Sequence, residues 1–288
     1  MLKDIDNHKK DIAIVVVGYN RLPGLKRLLQ SLIEADYPSQ NVPLVISIDA
    51  SGCTELYQYV QAFEWPFGDK YVNIEESRLG LKGHILQCGD LTKFFRAIIL
   101  LEDDLYVSPN FYQYSIASVD KYYDEPKVGG ISLYYDEMDG YVGVPFQALK
   151  NGSDVFVWQV VSSWGEIWTD KIWSNFRTWL STWNEDFESL DIISDIKGWT
   201  RAWSKYFYAY LVSNDLYFIY PYTSLTTNFA DAGGEHGGRK NDTRVQVSIQ
   251  YGQKEYNLPD FSELIRYDNY GNNESLYDYI DLDRKELS

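Results

Sequence analysis

Ile98-Ile99-Leu100-Leu101-Glu102-Asp103-Asp104-Leu105 decides how this chain is read. Four apolar residues describe a strand buried on both faces, and three carboxylates follow without a break. Adjacent anions repel one another, and burying them uncompensated is costly. A divalent cation resolves the conflict, because carboxylate oxygens suit Mg²⁺ or Mn²⁺. The carboxyl end of a strand in an open α/β sheet is also where ligands bind. The stretch therefore predicts a cation at a strand end, facing a phosphorylated ligand. The competing reading is a solvated acidic turn that opens a helix at Ser108-Pro109, where carboxylates favour the helix dipole.

Upstream, residues 12–17 form a continuous apolar run suited to a buried parallel strand. Gly18-Tyr19-Asn20-Arg21 and Pro23-Gly24 follow, and then Leu25, Leu28, Leu29, Leu32 and Ile33 recur at helical spacing. Residues 44–48 read as a second strand ended by Asp49, 55–63 as a helix, 71–74 as a short strand, 85–91 as a helix and 97–101 as the fourth strand. This alternation predicts an α/β fold with a mostly parallel central sheet flanked by helices. In parallel strands, the segment Gly18 to Arg21, Asp49 and the acid triplet all fall on one sheet edge. That edge offers close backbone approach, an arginine for phosphate oxygens, an acid for a ribose or base, and a cation site. A nucleotide diphosphate fits it. The chain has no G-x-G-x-x-G after the first strand, no Walker G-x-x-x-x-G-K-[ST] and no G-x-S-x-G elbow, which argues against the common alternatives.

The 288 residues carry a formal net charge of −16, so nucleic acid is not an expected partner and electrostatic docking on anionic lipid is disfavoured. Two cysteines, Cys53 and Cys88, make no disulfide framework and fit a reducing compartment. No apolar run approaches the ~20 residues of a membrane span, and the polar stretch from Met1 to Asp11 does not read as a signal peptide. The expectation is a cytoplasmic protein without an integral membrane segment, with peripheral contact at the inner face of the cytoplasmic membrane left open. Three N-x-[ST] sequons are then coincidental.

The second half differs in character. Eight of the nine tryptophans lie between Trp158 and Trp203, and Trp164/Trp168, Trp179/Trp183 and Trp199/Trp203 are i,i+4 pairs that share a face where those segments are helical. They predict an aromatic core for a helical subdomain, with one or two rings free to stack on sugars at a cleft. After about Arg244 the chain turns polar, rich in Tyr, Asn and Asp.

At this point the chain resembles the GT-A-fold, nucleotide-sugar-dependent glycosyltransferases, in particular bacterial family-2-like polysaccharide transferases and the N-acetylglucosaminyltransferase I type. The resemblance is carried by Val15-Val16-Val17-Gly18-Tyr19-Asn20-Arg21, Ile46-Ser47-Ile48-Asp49, Arg78-Leu79-Gly80-Leu81-Lys82, the acid triplet, Ser163-Trp164-Gly165, and Tyr220-Pro221 through Asn228-Phe229 to Gly234-Glu235-His236-Gly237. It implies a GT-A domain over residues 1–245, with a nucleotide-binding half at about 12–105 and an acceptor-binding half at 106–245. Residues 246–288 form a polar extension packed on it.

By position, the resemblance implies Asp104 as the metal ligand and Glu102 and Asp103 as contacts to the ribose and donor sugar. Gly18, Tyr19, Asn20, Arg21 and Asp49 would hold the nucleotide, and Arg78 and Lys82 would contact the donor and offset its diphosphate. Residues 233–238 match a mobile loop, from which His236 would approach metal or diphosphate; a surface histidine in a turn is the alternative. The implied reaction is metal-dependent, with Mn²⁺ or Mg²⁺, and inverting: a hydroxyl of a saccharide or lipid-linked saccharide displaces a nucleoside diphosphate, UDP above all, and a carboxylate takes its proton. The likeness breaks at that base, since Trp199-Thr200-Arg201-Ala202-Trp203-Ser204-Lys205 contains no acid. Asp195 is the first substitute by proximity and Asp191 the second; Asp186 lies further upstream. The missing acid also supports a second hypothesis, a carbohydrate-binding or assembly protein on a degenerate transferase fold. A sugar nucleotidyltransferase ranks last, for want of a glycine-rich, arginine-containing N-terminal loop.

Overall fold

A computed structural model describes residues 5, 8–38, 41–139, 144–200, 202–231 and 246–279. The elements run β1 (His8–Gly18), α1 (Leu22–Ile33), β2 (Leu44–Ile48), α2 (Thr54–Ala62), β3 (Lys70–Ile74), α3 (Gly80–Gly89), β4 (Phe95–Glu102), β5 (Leu105–Val107), α4 (Phe111–Tyr122) and β6 (Val128–Ser132). They continue with β7 (Met138–Asp139), β8 (Val144–Pro145), β9 (Val155–Trp158), β10 (Glu166–Thr169), α5 (Asp170–Thr182), α6 (Ser194–Lys197), α7 (Ser204–Ser213), β11 (Tyr217–Pro221), β12 (Thr226–Asn228) and β13 (Arg266–Tyr267).

Nine strands form one sheet in the order β13-β9-β11-β6-β10-β4-β1-β2-β3. β1 is parallel to β2 and β4, and β2 to β3. β10 runs against both β4 and β6, β11 runs with β6, and β9 and β13 run opposite to β11. Six of the nine strands therefore point one way, and the sheet is mixed and mostly parallel, as the sequence predicts. The helices flank it. Tyr37, just after α1, packs on Phe111 and Tyr112 of α4. In another layer, Trp173 of α5 packs against Gly89 of α3 and Phe207 of α7.

The first hundred residues fold as their pattern indicates. The strand residues Ile14, Val15, Val16, Leu44, Val45, Ile46 and Ile98 to Leu101 are all 0% exposed, as a strand covered on both faces requires. Pro23 sits in the first turn of α1, where no intrahelical N–H is needed. The helix expected at 85–91 starts earlier, at Gly80, and ends in a 3₁₀ turn over Asp90–Lys93.

The competing reading of the acid triplet fails, as does a helical placement for two of the tryptophan pairs. The acid triplet does not open a helix: β5 follows it, and α4 begins at Phe111 with no acid in its first turn. Of the three tryptophan pairs, only Trp179/Trp183 lies along a helix. Trp168 is in β10, and Trp199 and Trp203 flank the turn between α6 and α7. The aromatic cluster itself is present. Trp168, fully buried, stacks on Phe207 at 5.4 Å and meets Trp173 at 4.5 Å and Trp203 at 5.4 Å. Sheet pairing at Trp168 overrode its helical spacing to Trp164, and the positive φ of Gly165 (99°) makes the turn that starts the strand.

The segment from residue 246 runs back over α4. Ser108 Oγ and Asn110 Nδ2 donate to the carbonyls of Gln250 and Gly252, and β13 pairs with β9 at the sheet edge. Among the described residues, no helix is long and apolar enough to cross a membrane.

Candidate functional site

The register brings the sequence motifs to one edge. Gly18 pairs with Ile48, next to Asp49, and Val17 pairs with Glu102. Because β10 runs the other way, its first residue, Glu166, reaches the same edge opposite Leu100.

Asp103 is 2% exposed, Glu102 and Asp104 are half-buried, and the compensation for these acids comes from within the chain. Arg21 donates through Nη1 to Asp104 Oδ2 at 3.0 Å and through Nη2 to Asp103 Oδ1. Burial works against the Arg21 charge, but the two carboxylates outweigh it and raise the guanidinium pKa. Burial pushes the Asp103 carboxyl up to about 6; Arg21 pulls the other way, and Asp104 adds to the rise. The arginine expected to meet phosphate is thus engaged with the acids expected to hold metal.

Two oxygens stay without a well-formed hydrogen bond after that pairing, Asp103 Oδ2 and Asp104 Oδ1, although the Tyr19 backbone N–H also acts on the Asp103 carboxyl. Orphaned carboxylate oxygens of this kind are what a hard cation takes up. Among the described residues no three His, Cys, Asp or Glu side chains converge into a ready-made cation cage. A cation that shares one or two carboxylates with substrate phosphates needs no such cage, so the donor set fits Mg²⁺ or Mn²⁺ brought in with a nucleotide.

Asp49, 4% exposed, anchors the opposite side of the edge. Its Oδ1 accepts from the backbone N–H of Ala50 (2.9 Å) and Leu79 (2.8 Å), and its Oδ2 from that of Gly80 (2.9 Å). It holds the start of α3 against the end of β2, and Oδ2 keeps a lone pair for a ligand. Beneath it, Ser47 Oγ and His84 Nε2 lie 2.8 Å apart, and burial lowers the His84 pKa. Tyr19 is half-buried and Asn20 exposed; the Arg78 guanidinium lies 4.8 Å from the Tyr19 ring centroid. Lys82, one turn into α3, sits 3.3 Å from the Tyr206 ring centroid. The edge thus joins Gly18, Tyr19, Arg21, Asp49, Glu102, Asp103 and Asp104, with Arg78 and Lys82 on its flank.

Other expected residues stand apart. Asp191 and Asp195 are exposed; Asp191 Oδ1 accepts from the Tyr270 hydroxyl at 2.6 Å, and Asp195 lies in the short helix α6. No hydrogen bond or ion pair between described residues joins either one to the acid triplet. His236 and the glycine-rich stretch 233–238 lie outside the described residues.

Two groups were missed. Glu166 is fully buried with neither oxygen in a well-formed hydrogen bond, and burial, reinforced by Glu102, raises its pKa well above the usual range. Its signal was a lone acid between Trp164-Gly165 and Ile167-Trp168. Arg27 pairs with Asp231 through both nitrogens, donates to the Asp104 carbonyl at 3.3 Å and lies 3.9 Å from the Phe229 ring centroid. Gly24 permits the approach, since a Cβ there would stand 2.6 Å from the Asp103 carbonyl oxygen. Arg27 occupies the polar side of an amphipathic helix, where sequence alone marks it as solvated. A groove of about 1090 Å³ lined by Lys9, Asp90, Asp170, Lys171 and Arg177 contains none of the candidate residues.

No protein-family model matches the chain, and no curated protein does. Solved structures resemble it distantly. The S. aureus TarS 1-349 crystal structure is 15% identical, with a TM-score of 0.49, covering 75% of this chain and 59% of that one. The same TarS fragment in complex with UDP-GlcNAc is 13% identical, at TM-score 0.40, covering 57% and 47%. The mannosyltransferase PcManGT from Pyrobaculum calidifontis, in complex with GDP-Man and Mn²⁺, is 17% identical, at TM-score 0.37, covering 48% and 40%. The chain spans about three fifths or less of the length of these structures. Likeness at this level does not say which residues act, so function has to be argued from the edge itself.

Proposed function

We propose that this chain is a metal-dependent, inverting glycosyltransferase that moves a sugar from a nucleotide-sugar, a UDP-sugar in the first instance, to a saccharide acceptor during surface or capsular polysaccharide synthesis. The observation that carries the reading is the pair of orphaned oxygens, Asp103 Oδ2 and Asp104 Oδ1, at the carboxyl end of a parallel strand. On this reading residues 12–105 serve the nucleotide and 106–245 the acceptor.

Asp104 is the metal ligand, with Asp103 beside it; His236 is the further candidate. A divalent cation held there would stabilise the negative charge of the departing nucleoside diphosphate. Arg21 exchanges part of its pairing with the acids for diphosphate oxygens, so the donor meets a guanidinium already oriented and largely desolvated. Asp49 fixes the α3 start, from which Arg78 and Lys82 reach the donor. Glu102 contacts the ribose or donor sugar. The attacking hydroxyl gives its proton to an acid outside the edge, Asp195 first and Asp191 second.

Thermal unfolding tests the reading. UDP with Mn²⁺ raises the melting temperature, and EDTA abolishes the rise. Absence of a shift with any nucleoside diphosphate contradicts it. One observation favours the second hypothesis, a carbohydrate-binding protein on a degenerate transferase fold: Arg21 already neutralises the acids internally. Glycan binding without nucleotide binding would decide for that reading.

A further inference from the structure

The last turn of α5 carries Trp179, and Trp183 follows it at the helix end, on the same face. Their rings stack at 4.6 Å and 21°. Trp183 meets Phe187 edge-on at 4.6 Å, and Phe187 meets Tyr206 edge-on at 5.5 Å. Glu185, at φ 60°, makes the left-handed bend that turns Phe187 back toward Trp183. All four rings are half-buried.

Trp179 rests on Tyr210 at 5.5 Å and so on the core. Trp183 differs. Its ring contacts are Trp179, Phe187 and, at 6.4 Å, Tyr206, and it is not among the described residues packed against the buried core. An indole supported by other half-buried rings rather than by the core stands on the outer side of the row, where part of its surface stays open to a ligand. The row also leads somewhere. Lys82, on the flank of the nucleotide edge, lies on the Tyr206 ring.

The surroundings select the ligand. Residues 184–195 carry five exposed carboxylates, Glu185, Asp186, Glu188, Asp191 and Asp195, against two lysines on the row itself, Lys205 at 3.9 Å from the Phe187 ring centroid and Lys82 on Tyr206. That rim repels nucleic acid, anionic lipid and acidic glycans. Carboxylates accept strongly from hydroxyl groups, and aromatic faces suit the C–H faces of pyranose rings. Neutral saccharides combine both features.

We propose that Trp183, backed by Trp179, Phe187 and Tyr206, forms a ledge on which a neutral oligosaccharide acceptor stacks, leading to the nucleotide edge at Lys82. The ledge rests on the transferase reading only in calling its ligand an acceptor; saccharide binding itself does not need it.

The test is binding of the intact chain to an array of immobilised neutral and acidic oligosaccharides, run beside the UDP–Mn²⁺ thermal shift. Wild type retains neutral oligosaccharides. Trp183→Ala weakens that binding roughly tenfold or more. Trp183→Phe, which keeps a ring, retains most of it, and both variants keep the wild-type nucleotide shift. The proposal is overturned if no neutral oligosaccharide binds, if binding is confined to acidic ones, or if Trp183→Ala binds like wild type. Glycan binding that depends on Trp183 without any nucleotide shift upholds the ledge and removes the transferase reading. A nucleotide shift with no glycan binding removes the ledge alone.

Discussion

The acid-triplet edge and the aromatic half are built on opposite principles. At the edge, polar groups are matched to one another but not completely: Arg21 bridges Asp103 and Asp104, Asp49 takes three backbone N–H groups and Arg27 clamps Asp231, while Asp103 Oδ2 and Asp104 Oδ1 are left over. In the aromatic half, Trp168, Trp173 and Phe207 fill the space under α5 and α7 mainly by area, with one polar tie from the Trp173 indole N–H to Asp90 Oδ1 at 2.8 Å. The first region is specified by charge and costs stability wherever a group is left unanswered. The second is specified by volume, and only its outer ring, Trp183, is released from that duty.

The contrast predicts a graded set of effects on stability. Trp168→Ala removes a fully buried indole and lowers stability by about 3–5 kcal/mol in urea unfolding; a loss under ~1 kcal/mol would mean the cluster is not the core of this half. Arg21→Ala strands Asp103 and Asp104 and costs about 2–3 kcal/mol, less than a fully buried pair because Asp104 is partly open. The same variant gains a larger thermal shift from Mn²⁺ alone than wild type does. If the shift is no larger, the arginine is not standing in for a cation.

Glu166→Gln moves stability the other way. In the unfolded chain this carboxyl loses its proton near 4.5, whereas in the folded protein it holds the proton to a higher pH. Above about pH 4.5 the unfolded state binds fewer protons, so stability falls as pH rises through the interval. Gln removes that fall and raises the neutral-pH melting temperature by a few degrees. A melting profile that keeps its wild-type pH dependence would show that Glu166 is answered by a group not recognised above. Trp183→Ala changes stability least, by about 1–2 kcal/mol, since its half-buried ring packs on other rings outside the core.

The two regions were also unequally legible. Residues 12–101 could be read because each strand is a local apolar run and each helix keeps a local period, so β1 to β4 follow the pattern, although β1 begins at His8 rather than 12, β4 at Phe95 rather than 97 and α3 at Gly80 rather than 85. The acid triplet was legible for the same reason. Its partner was not: nothing in a sequence shows that Arg21, 82 positions away, is already engaged with Asp103. Glu166 was missed because an acid in a four-residue strand signals nothing until the neighbouring strand brings Glu102 beside it. The tryptophans misled because i,i+4 spacing predicts a shared face only inside a helix, and the pairing of β10 with β4 decides Trp168. The proposed base is the least legible of the candidate residues, since Asp191 and Asp195 sit on a segment whose relation to the edge depends on tertiary packing alone.

The most direct test of the central claim is calorimetric titration of UDP into the protein with Mn²⁺ present, repeated on Asp104→Ala with its fold verified by circular dichroism. The account predicts saturable binding to wild type that vanishes on adding EDTA and falls by more than ~100-fold in the variant. Binding of equal strength to Asp104→Ala, or binding indifferent to EDTA, would contradict it.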